Sequence, residues 1–189
     1  MIERAAEVVS RGGVIAFRTD TFYGLGADPF NAPAVAKVKA LKGREENKPI
    51  LLLLADAGLV DRFIAERSAA FDEVAKKFWP GPLTIVGHAV PELPVEITAG
   101  TGTVGVRVPA DVEVRDLVRQ CGGALTATSA NPSGREPARS AQEVRDYFGD
   151  AIDLVIDGGD VTATEPSTVI DVTTAPFRII RLGAADLRG

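Results

Sequence analysis

The spacing of hydrophobic positions changes several times along the chain, and each change marks an element. From Ile2 to Ser10 apolar residues alternate with Glu3, Arg4 and Glu7 at helical spacing, which predicts an amphipathic helix. Val14 to Phe17 is a short, largely β-branched run that predicts a strand, followed by a polar loop Arg18-Thr19-Asp20-Thr21. Asn31 can cap a helix that carries Pro33 in its first turn and runs to about Leu41. Ile50 to Leu54 is continuously apolar, as a strand buried on both faces is. Two further helices are predicted near Asp56–Ala65 and Ser68–Phe78. Trp79-Pro80-Gly81-Pro82 then stops the second and opens a strand, Leu83–Val86.

In the second half, Pro91 and Pro94 mark a loop. Thr103 to Val108 alternates, placing Val104, Val106 and Val108 on one face and Arg107 on the other. A helix from about Asp111 to Gln120, a strand Leu125–Thr128 and a helix Ala141–Phe148 capped by Ser140 follow. Three strands, Leu154–Ile156, Ser167–Val172 and Phe177–Leu182, end the series. Strands interleaved with helices predict an α/β fold, and the strand-rich ends predict a twisted, mixed open sheet in a single domain over 1–189.

Composition narrows the function classes. Hydrophobic residues make up 46% and charged residues 25% of the 189, a globular balance. The net charge of −5 disfavours tight non-specific nucleic-acid binding, so any polyanion needs a local basic site. The longest apolar stretch, Pro49 to Ala55, is too short to cross a bilayer, and residues 1–11 do not read as a signal peptide. Cys121 is the only cysteine and cannot form an internal disulfide. With no clustered Cys and His there is no sign of a structural metal, and a cytoplasmic setting fits.

Four loops hold polar residues that a core would not use. Arg18-Thr19-Asp20-Thr21-Phe22-Tyr23-Gly24-Leu25-Gly26 sets hydroxyls and two glycines after a buried strand, either a plain turn or a place where backbone approaches a ligand. Lys42-Gly43-Arg44-Glu45-Glu46-Asn47-Lys48-Pro49 holds three cations within seven residues, either a solvated loop or a polyphosphate grip. Thr126-Ala127-Thr128-Ser129-Ala130-Asn131-Pro132-Ser133-Gly134 sets hydroxyls and an amide at a strand end, where α/β sheets bind ligands, although an Asn-Pro turn explains it equally. The fourth is Pro166-Ser167-Thr168-Val169-Ile170-Asp171, with Arg181 on the last strand. His88, the one histidine, has no nucleophile elbow around it. Neither a Walker-type loop nor a dinucleotide glycine fingerprint occurs, so a nucleotide site here must be unconventional.

Taken together, these loops resemble the YrdC-like family of threonylcarbamoyl-AMP synthases. The resemblance spans Gly12 to Leu182. It rests on Thr-Asp-Thr-x-Tyr-Gly-Leu-Gly, Lys-Gly-Arg with Asn-Lys-Pro, Trp-Pro-Gly-Pro-Leu-Thr, Gly-Val-Arg-Val-Pro, Thr-Ser-Ala-Asn-x-Ser-Gly and Pro-Ser-Thr-Val-Ile-Asp, in that order. It implies a YrdC-like fold with a deep, positively lined concave ligand-binding face, in the short form without a further C-terminal domain. It also implies a nucleotidyltransferase that condenses L-threonine, bicarbonate and ATP to threonylcarbamoyl-AMP and pyrophosphate, for threonylcarbamoyladenosine modification of tRNA. ATP is a substrate here, with magnesium bridging its phosphates, and no permanent cofactor is implied. The resemblance assigns threonine to Thr21, Arg107 and Ser167, and more weakly to Leu53 and Ala127. It assigns ATP to Lys42, Arg44, Lys48, Thr103, Ser129, Asn131 and Arg181, with Pro137 lining the pocket, and gives the charge-neutralising catalytic role to Lys42 and Arg44. Downstream partners are tRNA-modifying transferase proteins, with a weak RNA contact and no membrane.

Three positions depart from the family pattern: Arg18 and Glu45 stand where proline is usual, and Leu53 where histidine is frequent. The rival from another class is a non-catalytic protein gripping duplex RNA with the concave face, against which the acidic net charge and the lack of aromatic-basic runs count.

Overall fold

The computed structural model describes residues 1–43, 48–163 and 165–187. Its elements in chain order are α1 (Ile2–Ser10), β1 (Ile15–Arg18), β2 (Tyr23–Gly26), α2 (Ala32–Lys42), β3 (Leu52–Leu54), a 3-10 turn (Ala57–Arg62), α3 (Ala69–Phe78), β4 (Leu83–His88) and α4 (Val95–Thr98). Then come β5 (Thr103–Arg107), α5 (Val112–Gln120), β6 (Ala124–Thr126), β7 (Thr128–Ser129), α6 (Ala141–Phe148), a second 3-10 turn (Gly149–Ala151), β8 (Leu154–Val155), β9 (Thr168–Asp171) and β10 (Arg178–Arg181). The α/β class is as expected, but the strands form two sheets. One has four strands in the order β7-β2-β1-β8 and the other six in the order β10-β9-β4-β5-β3-β6. Both are mixed: β1 pairs antiparallel with β2 and parallel with β8, while β4 pairs antiparallel with β5 and parallel with β9.

The helices begin where side chains can satisfy the free amides of a first turn. Asn31 accepts from the Ala34 amide, Ser68 from Phe71, Asp111 from Glu113 and Val114, and Ser140 from Glu143. Four departures from the sequence expectations have local causes. The segment near Asp56–Ala65 makes only a short 3-10 turn, because Ile64 already bridges to Ala89 in extended form. Val95–Thr98 forms one helical turn within the expected proline loop. Val108 lies beyond β5, which ends at Arg107. Tyr23–Gly26, expected as a loop because of its glycines, is a fully buried strand. A Cβ at Gly26 would stand 2.7 Å from Phe17 Cε1, so the missing side chain lets β2 lie against Phe17.

The largest difference is the run expected as one strand, Leu125–Thr128. It divides between the sheets: β6 pairs with β3 in the larger, and β7 pairs with β2 in the smaller. Thr126, fully buried, sits at the crossing. Its hydroxyl donates to the Leu25 carbonyl at 2.9 Å and accepts the Ala27 amide at 2.9 Å, and its own amide donates to the Ala27 carbonyl at 3.0 Å. One apolar cluster carries Val14, Tyr23, Leu25, Leu52, Ile85, Val106 and Ile170. A second joins Ile15 and Phe17 of β1 to Leu53 and Leu125 of the larger sheet, closed by α1 and α5. At the far edge, β10 follows β9 to Ile179↔Ile170 and then shifts register, so that Arg181 lies opposite Val169.

Replacing Thr126 by Val keeps its volume but removes the hydroxyl that accepts the buried Ala27 amide and donates to the Leu25 carbonyl. A buried polar group left without its partner costs about 1–3 kcal/mol. Thr126→Val is therefore expected to lower the urea midpoint with an unchanged m-value, and Thr126→Ser to restore most of the loss.

Candidate anion-binding active site

A cavity of about 570 Å³ is lined by residues of both sheets and the loops that leave them, a size within the range of small-molecule sites. Lys39, Lys42, Lys48, Arg107 and Arg181 line it, and no Asp or Glu does among the described residues. In a chain of net charge −5, a wall with five cations is a local reversal of sign that selects anions.

Two clusters organise these charges. In the first, Arg107 comes off the end of β5 with only 4% of its surface exposed. Its Nη2 donates to Asp20 Oδ1 at 2.6 Å, whereas Nη1 is buried with no hydrogen-bond partner. Burial pushes the Arg107 pKa below the usual guanidinium value, and the charge and hydrogen bond of Asp20 push it back up. Arg181, from β10, donates through Nε and Nη2 to the Ser167 carbonyl at 3.1 and 2.8 Å, and through Nη2 to the Ser167 hydroxyl at 3.2 Å. Its pKa is lowered by partial burial and then by the positive charge of Arg107. The Ser167 hydroxyl is also 3.0 Å from that of Thr84. Gly105, two residues before Arg107, is needed here. A Cβ on it would stand 2.5 Å from Leu51 Cδ2 and 3.0 Å from Thr84 Cγ2, both residues of the cavity wall.

In the second cluster, Lys42 is the last residue of α2 and half-buried, not part of an exposed loop. Its Nζ donates to the Ser129 carbonyl at 2.7 Å, to Asn131 Oδ1 at 3.0 Å and to the Ser129 hydroxyl at 3.2 Å. Its carbonyl accepts the Ser133 amide at 2.7 Å. Asn131 is buried and fixed from its other end, where Nδ2 donates to the Arg135 carbonyl at 2.7 Å.

The cavity therefore gathers Thr21, Leu53, Arg107, Ala127 and Ser167 from the threonine set. From the ATP set it gathers Lys42, Lys48, Ser129, Asn131, Pro137 and Arg181. Leu53 lines it although its side chain is buried in the second apolar cluster. Thr103 does not line it: it begins β5, four residues before Arg107 and roughly 13 Å along the strand. Its hydroxyl is 2.9 Å from that of Thr101. Arg44 and Glu45 lie outside the described residues. Arg18 pairs with Asp111 at 2.8 Å, which gives this departure from proline a partner at the cap of α5. Sequence reasoning overlooked Asp20 and Thr84. Both stand inside quoted motifs, but only their contacts with Arg107 and Ser167 reveal a task.

Residues 7–183 match the Sua5, YciO and YrdC family, described as telomere recombination. The chain belongs to this family. It is 43% identical over 157 residues to a threonylcarbamoyl-AMP synthase of Halorhodospira halophila, covering 83% of this chain and 82% of that one. It is 42% identical over 164 residues to a synthase of the same name from Thiobacillus denitrificans, covering 87% of each. Among solved structures, Pyrococcus abyssi Sua5 complexed with L-threonine superposes with a TM-score of 0.92 at 36% identity, over 96% of this chain and 54% of that one. The E. coli YciO structure superposes at 0.87 with 27% identity, covering 99% and 91%. The chain thus spans about half the length of the archaeal Sua5 and most of the length of the bacterial relatives. No helix among the described residues is long and apolar enough to cross a membrane.

Lys42→Ala removes a cavity charge and three hydrogen bonds to the 129–131 segment. Pyrophosphate affinity by calorimetry is expected to fall tenfold or more, with a stability loss of about 1–3 kcal/mol. Lys37→Ala, one turn earlier and paired with Asp153 outside the cavity, is the control and should leave pyrophosphate binding unchanged.

Proposed function

We propose that the chain is an L-threonylcarbamoyladenylate synthase that condenses L-threonine, bicarbonate and ATP to threonylcarbamoyl-AMP and pyrophosphate. The observation that carries this is the pairing of two cationic clusters in one cavity that no Asp or Glu among the described residues lines, in a chain whose 42–43% identical relatives bear that name. Arg107, with its unpartnered Nη1, and the neighbouring Ser167 suit an α-carboxylate. Thr21 and the backbone at Leu53 and Ala127 complete that side. Lys42 with Ser129 and Asn131, together with Lys48, Pro137 and, from the Ser167 side, Arg181, suit a nucleotide. Arg44 joins this set by its motif alone.

The ammonium of threonine gives up a proton, and the resulting amine adds to bicarbonate, forming a C–N bond as water leaves, to give a carbamate. A carbamate oxygen then attacks the α-phosphorus of ATP, and the bond to the β-phosphate oxygen breaks as pyrophosphate leaves. Two anions must meet, so the protein's part is to offset charge and hold the attack in line. Lys42 has its ammonium fixed by three oxygens before any ligand arrives, so little reorganisation is needed when phosphate charge develops. Magnesium would enter with the ATP substrate and offset phosphate charge. The product would pass to tRNA-modifying transferase proteins.

Incubation with ATP, labelled bicarbonate and threonine should yield labelled threonylcarbamoyl-AMP by mass spectrometry. Pyrophosphate release should need both threonine and bicarbonate, and serine should be poorer, since a missing methyl is worth about 1–3 kcal/mol. Equal turnover with threonine, with serine and with no amino acid would refute the assignment.

Arg107→Ala should weaken threonine binding in calorimetry by tenfold or more, in line with about 2–5 kcal/mol for a lost buried charged partner. ATP affinity without threonine should change far less, and Arg107→Lys should rescue only in part, since an ammonium lacks the fork. Loss of ATP binding with threonine binding retained would move Arg107 to the phosphate side.

A further inference from the structure

Asp20 is a carboxylate placed beside a site that otherwise selects carboxylates. It does not line the cavity; its Oδ1 reaches Arg107 Nη2 from behind, at 2.6 Å. Its side chain is 20% exposed against 5% for that of Arg107, so the pair is largely removed from water on the arginine's side. The turn that carries Asp20 is held by the residue before it. Thr19 Oγ1 accepts the amides of Thr21 and Phe22, both at 3.1 Å, and donates to the Phe22 carbonyl at 2.6 Å. Asp20 therefore sits on a fixed backbone, and its contact with Arg107 fixes a guanidinium in turn.

The charge balance is informative. Arg107 and Arg181 stand close enough that the charge of one lowers the pKa of the other. Asp20 pairs with Arg107, while the bonds of Arg181 go to the neutral oxygens of Ser167. The carboxylate of Asp20 thus engages Arg107 and not Arg181. Nη1 of Arg107 is the nitrogen left without a partner.

We propose that Asp20 is a positioning residue for threonine: it holds Arg107 by Nη2 so that Nη1 meets the substrate carboxylate. This rests on the synthase reading above and adds to it the residue through which Arg107 is aimed. Asp20 acts through Arg107 alone and touches no substrate.

A double-mutant cycle on threonine affinity, measured by calorimetry on the full chain, tests this. Asp20→Ala is expected to weaken threonine binding tenfold or more, while ATP affinity without threonine stays within threefold. In the Arg107→Ala background, the same Asp20→Ala change should alter threonine affinity by less than twofold, because the group it positions is gone. Asp20→Asn, which keeps an acceptor oxygen for Nη2, should recover part of the affinity. Removing both partners leaves no buried unpaired charge, so Asp20→Ala/Arg107→Ala should fold even if Asp20→Ala alone does not. In that event the comparison is made between Asp20→Asn and wild type, and between the double variant and Arg107→Ala. Effects that multiply in the double variant, or equal losses of ATP and threonine affinity, would overturn the positioning role. Wild-type protein that binds no threonine defeats the synthase reading. Wild type that binds it, with Asp20→Ala or Asp20→Asn binding it equally, defeats this inference alone.

Discussion

The hydrogen bonds of Thr126 join the two sheets, and the cavity depends on that junction. A hydroxyl buried completely must use its donor and its acceptor, and here both go to β2 and the residue after it, across the sheet boundary. One residue further on, the Ala127 amide donates to the Leu51 carbonyl at 2.8 Å, and the Ala130 amide returns to the Tyr23 carbonyl at 2.7 Å. The chain is thus pinned alternately to one sheet and the other over five residues. That alternation brings Ser129 and Asn131 under Lys42, and holds Ala127 on the same wall as Arg107.

With the walls fixed by backbone bonds, the site can hold side chains that a core would reject. A buried guanidinium is costly unless paired, and Arg107 is only partly paired. In the proposed reading that remaining cost is an affinity held in reserve, since an incoming carboxylate would satisfy the unpartnered nitrogen. Lys42 is the opposite case. Its bonds to Ser129 and Asn131 are made in advance, so its role is a placed charge and not an unfilled valence. One cavity therefore combines an incomplete donor suited to a carboxylate with a pre-arranged cation suited to phosphate.

The longer helices were legible in the sequence because their signals are local. Asn31, Ser68, Asp111 and Ser140 each stand where an N-cap is observed. Most strands were legible from apolar runs, and the motifs carried most of the cavity-lining residues. What stayed hidden depends on partners distant in sequence. The division of Leu125–Thr128 between sheets is decided by Leu25, Ala27 and Tyr23, about a hundred residues away. The glycines of β2 read as loop until Phe17 is seen filling the space above Gly26. Asp20 resembles any turn aspartate until Arg107, 87 residues on, is found against it. Thr103 begins the strand that Arg107 ends and is not among the residues lining the cavity.

The register shift in β10 gives a different kind of constraint. In an unbroken ladder, side chains keep strict alternation, and one residue more or fewer turns each of them to the opposite face. The shift between Ile179 and Arg181 breaks that alternation once, just before the arginine that reaches Ser167. Segment length therefore matters more than composition at this edge. A regular ladder of the same length would set Ile180 opposite Val169 and turn Arg181 to the other face, whereas the one extra residue keeps the guanidinium on the face of Val169. The last strand therefore works as a measured spacer, and its one irregular step decides which face carries Arg181.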